Sequence, residues 1–302
     1  MIRAGLLALA LATAAPASQA APVVLQSNSF FNSEGVRLNV IEAGLAKPGQ
    51  PVILFVPGWS IPASIWARQL EALAPTHKVI ALDPRGQGDS EVPRNGYTTE
   101  QRAQDLQEFV ALHESVVLVT WSLGSLEALQ MLARYGGENV RGLVIVDSSV
   151  GEQSLPVMLQ NPPPPEPPRP PGPQLSFTEE LRVDRVKALD DFMRDIFKTP
   201  QPAETLLAYR NSAMRMPLEA SLAIFPGSRI PRERWRSAVM GFAKPLLYVV
   251  TPQFAGQALS LKANRPATQI EIFEQAGHAL FVDEPERFAA LLADFLRRNG
   301  LF

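Results

Sequence analysis

Ser122 stands where a hydroxyl can be made reactive. The run Val116 to Thr120 is apolar and β-branched and reads as a buried strand, and a helical pattern with Leu126, Leu129, Met131 and Leu132 opens directly after it. Ser122 is the corner between the two, within Thr120-Trp121-Ser122-Leu123-Gly124. A serine on a sharp strand-to-helix turn holds its oxygen clear of the sheet, beside helix N–H groups that tolerate negative charge. The pattern G-x-S-x-G describes such a turn, with Thr120 here in place of the first glycine. The same residues also suit an ordinary helix with a serine N-cap. To act as a nucleophile the hydroxyl needs an imidazole to take its proton. Of the three histidines, His278 lies in the small-residue loop Gln275-Ala276-Gly277-His278-Ala279, between the last strand and the last helix. That is the carboxyl edge of the sheet, where Ser122 also emerges. A capping or solvent-facing role is the alternative for His278. His77 and His113 lie in helix-to-strand connections at the opposite edge and are expected at the surface.

The elements that must hold these groups alternate along the chain. Val23 to Phe31 and Val36 to Ala43 read as an antiparallel pair joined by the turn Asn32 to Gly35. Val52 to Val56, Val79 to Leu82, Val116 to Thr120 and Leu143 to Val146 are solid apolar runs, the mark of strands covered on both faces. Helical patterns over Ala63 to Leu73, Thr98 to Leu112 and the segment after Ser122 separate them. Such alternation predicts an α/β fold, a doubly wound, mostly parallel sheet. It stops at residue 151. Asn161 to Pro173 reads NPPPPEPPRPPGP, an extended polyproline segment that is either a stiff spacer or a docking site for a proline-recognising partner. Helices are expected over Phe177 to Phe197, Ala203 to Met214, Leu218 to Phe225 and Glu233 to Met240, so 151–240 reads as a helical cap. Then the alternation resumes with strands Pro245 to Val250 and Thr268 to Phe273. A helix, Gln253 to Lys262, lies between them, and Phe281 to Leu296 holds the last one. Asp283, Pro285 and Glu286 fit an N-cap, a first-turn proline and a carboxylate at the third helical position.

Five stretches in this order resemble the α/β-hydrolase fold superfamily, over about residues 36–150 and 245–300. Phe55-Val56-Pro57-Gly58-Trp59 stands at the family's oxyanion loop, with Pro57 where a histidine is usual. Leu82 to Ser90 is similar to its D-x-R-G-x-G-x-S loop, Thr120 to Gly124 to its nucleophile turn, Leu143 to Asp147 to the strand after it, and Ala276-Gly277-His278 to its histidine loop. The resemblance implies an eight-stranded sheet, a Ser-His-acid triad, and an oxyanion hole made by the backbone N–H groups of Trp59 and Leu123. The family commonly carries the acid after the strand read here as 245–250, but Thr251 to Gln257 holds no carboxylate. Asp147 ends the preceding strand on the same edge as Ser122, and Ser122, Asp147, His278 keeps the chain order of the fold. Capping of the following turn through Ser148 or Ser149 is the competing role for Asp147. Glu274 is the poorer acid candidate, being too near His278 in sequence to reach its far nitrogen. Asp83, Arg85, Gly86 and Gly88 read as a structural loop, with Asp89 and Ser90 as candidates for the pocket entrance. Trp121 and Phe281 are candidates for the substrate pocket, with core packing preferred for Phe281.

Composition narrows the chemistry further. The chain has 302 residues, 46% hydrophobic and 19% charged, which suits one large core with an insert. A formal net charge of −2 offers no basic field for nucleic acid. Without any cysteine there is no disulfide, thiol nucleophile or thiolate metal site. Residues 1–20 read as a cleavable signal peptide, with Arg3 before the apolar run Ala4 to Ala15 and a small-x-small site at Ser18-Gln19-Ala20. The mature chain is then expected to be periplasmic or secreted, without a stable membrane anchor. The expected activity is a serine hydrolase that cleaves a small-molecule ester, thioester or lactone through an acyl-enzyme, with no metal or cofactor. A serine at the turn argues against dehalogenase or epoxide hydrolase chemistry, which in this fold uses an aspartate there. Apolar cap residues (Leu206, Leu207, Met214, Met216, Leu222, Ile224, Phe225) suggest an apolar acyl pocket or simple cap-to-core packing. The rival reading is a hydrolase-like binding or receptor protein with little turnover, and the sequence is silent on oligomeric state.

Overall fold

A computed structural model describes residues 22–164, 175–225 and 232–302. Strands β1 (Gln26–Phe31), β2 (Arg37–Ala43) and β3 (Val52–Val56) come first. A 3-10 turn at Ala63–Trp66 leads into α1 (Ala67–Leu73), followed by β4 (Val79–Leu82), α2 (Thr99–Val110), β5 (Val116–Trp121), α3 (Leu123–Tyr135) and β6 (Val140–Val146). Helices α4 (Phe177–Val183), α5 (Arg185–Asp195), α6 (Ala203–Arg215), α7 (Leu218–Ile224) and α8 (Arg232–Gly241) intervene. Then β7 (Leu246–Val250), α9 (Pro252–Asn264), β8 (Gln269–Ile272), α10 (Leu280–Asp283) and α11 (Pro285–Arg298) complete the chain.

The eight strands form one sheet in the order β1-β2-β4-β3-β5-β6-β7-β8. The pairs β1–β2 and β2–β4 are antiparallel and the remaining pairs parallel, so the sheet is mostly parallel as expected. β4, β5 and β7 are buried along their whole length, which is why their sequences are unbroken apolar runs. Each aliphatic side chain so buried contributes roughly 1.5–3 kcal/mol. The helices between β6 and β7 meet the sheet through aromatic contacts. The Trp59 ring, just after β3, lies 5.5 Å from Phe177, 5.4 Å from Phe192 and 5.2 Å from Phe225.

Several expectations shift for local reasons. The helical pattern 177–197 breaks at Asp184, whose extended backbone lets its carboxylate accept the Lys187 N–H and start α5 afresh. The last helical stretch also divides: Asp283 ends α10, and the N-cap of α11 is Glu284, which makes no side-chain capping bond. His77 is fully buried, packed edge-on against Phe302 at 4.8 Å, and His113 is half-buried against Phe109. Neither is the surface residue its place in a connection suggested. Burial lowers both pKa values, since a charged imidazole would lose its water. The segment 1–20 and most of the proline stretch 161–173 lie outside the described residues. Among the described residues no helix is long and apolar enough to cross a membrane.

Candidate active site

The site is assembled from the ends of adjacent strands. β5 pairs with β6 up to Trp121 and Val146, and the Ser122 N–H continues that ladder to Val146 O at 3.1 Å. Asp147 repeats the arrangement one strand over, donating its N–H to Val249 O at 2.8 Å. Both residues then turn sharply, Ser122 at φ 53 and Asp147 at φ 42. A non-glycine residue in this region costs on the order of 1–3 kcal/mol and persists only where the surroundings impose it. The turn at Ser122 needs Gly124, because a Cβ there would sit 2.5 Å from Pro57 O and 2.8 Å from Val56 O. Thr120, in place of the other glycine, is fully buried, and its hydroxyl has two acceptors in reach, Ser125 Oγ at 3.0 Å and Val144 O at 3.1 Å. The threonine is thus absorbed by a hydrogen bond to the neighbouring strand.

Asp147 is fully buried, and three donors share its carboxylate. Oδ2 lies 2.7 Å from His278 Nδ1. Oδ1 accepts the Thr251 N–H at 2.7 Å and the Thr251 hydroxyl at 2.8 Å. The carboxylate therefore orients the imidazole rather than capping through Ser148 or Ser149. Ser148 Oγ donates to Ser122 O at 2.9 Å, and Ser149 Oγ to Gln257 Oε1 at 3.1 Å. With Nδ1–H directed at Asp147, a neutral His278 presents Nε2 as a proton acceptor. Thr251 follows β7, in the loop that holds no carboxylate. Nothing in its local sequence marks it as a donor to Asp147, though the pairing of β6 with β7 sets it beside the Asp147 turn. Burial raises the pKa of Tyr248, and the neighbouring Asp147 adds to the rise; its hydroxyl donates to Ser148 O at 2.7 Å.

The His278 loop is held from three sides. Trp121 Nε1 donates to His278 O at 2.8 Å, and the two rings lie 5.0 Å apart. Ala279 N donates to Ile196 O at 2.8 Å, just past α5. Asp283 accepts the Gly277 N–H at 2.7 Å together with the Thr199 N–H at 2.9 Å and hydroxyl at 2.6 Å. This clasp is what Asp283 does in place of capping α11. Glu274 accepts the N–H groups of Gln160 and Asn161 and so is engaged away from His278 Nδ1.

A cavity of about 830 Å³ opens over these groups and is lined by Ser122, Leu123, Asp147, His278 and Trp59. Neither the Trp59 nor the Leu123 backbone N–H has an acceptor among the described residues, so both are free to donate to a ligand. Its opposite wall comes from Phe192, Ile196, Phe225, Trp235 and Phe254, with Asp195 and Arg232 as charged lining groups. Of the cap residues proposed for an acyl pocket only Phe225 lines it; Met216 and Ile224 are buried in packing, and Leu207 is exposed. Trp121 and Phe281 do not line the cavity. Both are buried beneath it, Phe281 stacked on Trp66 at 3.7 Å and edge-on to Trp121 at 5.3 Å. Asp89 and Ser90 lie elsewhere. Ser90 is buried and donates to Asp83 O, and Asp89 borders a separate cleft of about 460 Å³. Asp83 itself accepts from Ala63 N, Asp89 N and Asn39 Nδ2, so that loop is structural. Among the described residues no three His, Asp or Glu side chains cluster as metal ligands.

A strained, half-buried serine turn, a carboxylate-held imidazole and two N–H groups without acceptors line one cavity, the parts that acyl transfer needs; among the described residues the Ser122 hydroxyl makes no hydrogen bond to His278. Comparison with known proteins agrees with the architecture. A family model described as the alpha/beta hydrolase family matches residues 53–291. The AB hydrolase superfamily protein YisY of Bacillus subtilis is 26% identical over 274 residues, covering 87% of this chain and 96% of the relative. The pimeloyl-[acyl-carrier protein] methyl ester esterase of Vibrio vulnificus is 28% identical over 260 residues, 81% of this chain and 94% of that protein. Among solved structures, an esterase from Exiguobacterium antarcticum superposes with a TM-score of 0.70 at 19% identity, over 90% of this chain and all of the other.

Proposed function

This chain belongs to the alpha/beta hydrolase family, and from that premise we propose that it is a serine hydrolase of carboxylic esters, thioesters or lactones, working through an acyl-enzyme on Ser122. One observation carries the reading: His278 Nδ1 sits 2.7 Å from a buried Asp147 carboxylate, and the cavity they line also holds Ser122. His278 Nε2 takes the Ser122 proton as Oγ attacks the substrate carbonyl carbon. The carbonyl π pair moves onto oxygen, where the Leu123 and Trp59 N–H groups receive the negative charge. Collapse of that intermediate expels the alcohol or thiol, which takes up the proton held on His278; from an ester or thioester it departs, and from a lactone it stays tethered to the acyl chain. Water then repeats the sequence, releasing the acid and restoring Ser122. Asp147 stabilises the imidazolium in both halves. The esterase name of the Vibrio vulnificus relative supports the same class of reaction. The ring-lined wall favours an uncharged, apolar acyl or aryl group.

Export belongs to the same proposal. Residues 1–20 act as a signal peptide cleaved after Ala20, and the enzyme works in the periplasm or outside the cell as a hydrolase core with a cap at 151–240. The test is labelling with a fluorophosphonate. Wild type labels rapidly at Ser122, and Ser122→Ala and His278→Ala do not label. A folded wild type whose Ser122 stays unreactive refutes the proposal and favours a binding protein. Hydrolysis of a p-nitrophenyl ester series of rising chain length then defines the acyl preference.

A further inference from the structure

Gln87 lies in the loop after β4, is 1% exposed and uses every hydrogen-bonding direction needed to hold a neighbouring backbone. Its Nε2 donates to Gly58 O at 2.9 Å and to Ile61 O at 3.0 Å, the two ends of the turn that carries Trp59. That turn is under strain, with Ser60 at φ 58. Gln87 Oε1 accepts from Arg102 Nη2 at 2.8 Å. Arg102, 2% exposed on α2, is ion-paired through Nε with the equally buried Glu127 of α3. Glu127 lies one turn along the helix that begins with Leu123. A single buried chain of polar contacts thus runs from the helix that presents the Leu123 N–H to the turn that presents the Trp59 N–H.

We propose that Gln87, held by Arg102 and Glu127, is a positioning residue that sets the spacing of the two oxyanion-binding N–H groups of Trp59 and Leu123. The inference rests on the reading of Ser122 as nucleophile. Both carbonyls that Gln87 binds flank Trp59; the Trp59 side chain is held separately, by Ser221 O and three phenylalanine rings, so losing the Gln87 amide releases the backbone of the turn relative to α3. A donor displaced from the developing oxyanion weakens the transition state while leaving ground-state binding in the aromatic wall untouched. Pro57, which has no backbone N–H, offers the turn no substitute donor.

The experiment compares Gln87→Met and Gln87→Glu with wild type. Methionine keeps the volume and loses the amide. Glutamate keeps the volume and the contact to Arg102, and sets an acceptor against Gly58 O and Ile61 O, so it provides the readout if the methionine variant does not fold. Active sites are counted by fluorophosphonate titration taken to completion, and p-nitrophenyl ester kinetics, boronic acid inhibition and Tm are measured. The expected result is a kcat per titrated site lower by about 10- to 100-fold with KM nearly unchanged. Boronate, which places a tetrahedral oxygen in the hole, weakens in the same proportion. A folded variant with wild-type kcat per site and wild-type boronate affinity, whatever its Tm, overturns the inference alone. A wild type that neither labels nor turns over overturns the parent reading and this inference with it.

Discussion

The sheet side of the cavity presents Ser122, Asp147 and His278, each fixed by hydrogen bonds to strand backbone, to Thr251 or to Trp121. The side formed by α5, α8 and the end of α7 presents Phe192, Ile196, Phe225 and Trp235, and Phe192 and Phe225 meet Trp59 and Phe177 ring to ring. Directional bonds hold atoms to within a fraction of an ångström, as proton transfer requires. Ring packing is permissive of shape and rewards apolar area. On the proposed function, one wall carries the reaction and the other chooses what reacts.

The largest expected effect lies on the first wall. Asp147→Asn should lower kcat by about ten-thousand-fold with a small change in KM, because the imidazole loses the partner that fixes its tautomer and stabilises its charge. A near-normal kcat in this variant would break the division outright. Phe225→Ala should act on the second wall. It should cut kcat/KM for long or aromatic acyl groups by about tenfold and leave acetate esters little changed. If it instead depressed kcat for every ester alike, the second wall would be part of the reaction machinery. The smallest effect is a control remote from both walls. Burial holds His77 neutral in the fold, whereas in the unfolded chain it titrates near its usual value of about 6.5. Below that pH the unfolded state binds more protons, so stability is full above about pH 6.5 and declines as the pH falls. Tm should drop between pH 7 and pH 5, and His77→Gln should flatten the drop while kcat per site and KM stay at wild-type values.

The sheet and the placing of Ser122, Asp147 and His278 at one edge of it were legible in the sequence because they follow from local signals. Solid runs such as Val116 to Thr120 have one stable use, and the serine corner and the histidine loop punctuate them. What stayed hidden was contact at long range. Thr251 and Gln87 are unremarkable in sequence, and their partners lie 104 and 29 residues away. Asp283 looked like a cap because helix-start chemistry and clasp chemistry both need a short carboxylate beside free N–H groups. His77 looked exposed because nothing near it in the chain announces that Phe302 folds back over it. Helical periodicity over 177–240 marks apolar faces without saying which face looks into the cavity, so it does not separate Leu206 and Met214 from Phe225, which alone of the three lines it.

The Asp283 carboxylate binds the chain just past α5 and the backbone next to His278 at once. Roof and base are in this sense one mechanical part. Were the end of α5 to swing outward, the imidazole loop would be pulled along and its alignment with Asp147 spoiled. On the proposed function, traffic into and out of the chamber that keeps the imidazole aligned therefore passes another wall, and a visitor that forces this one disarms the site as it enters.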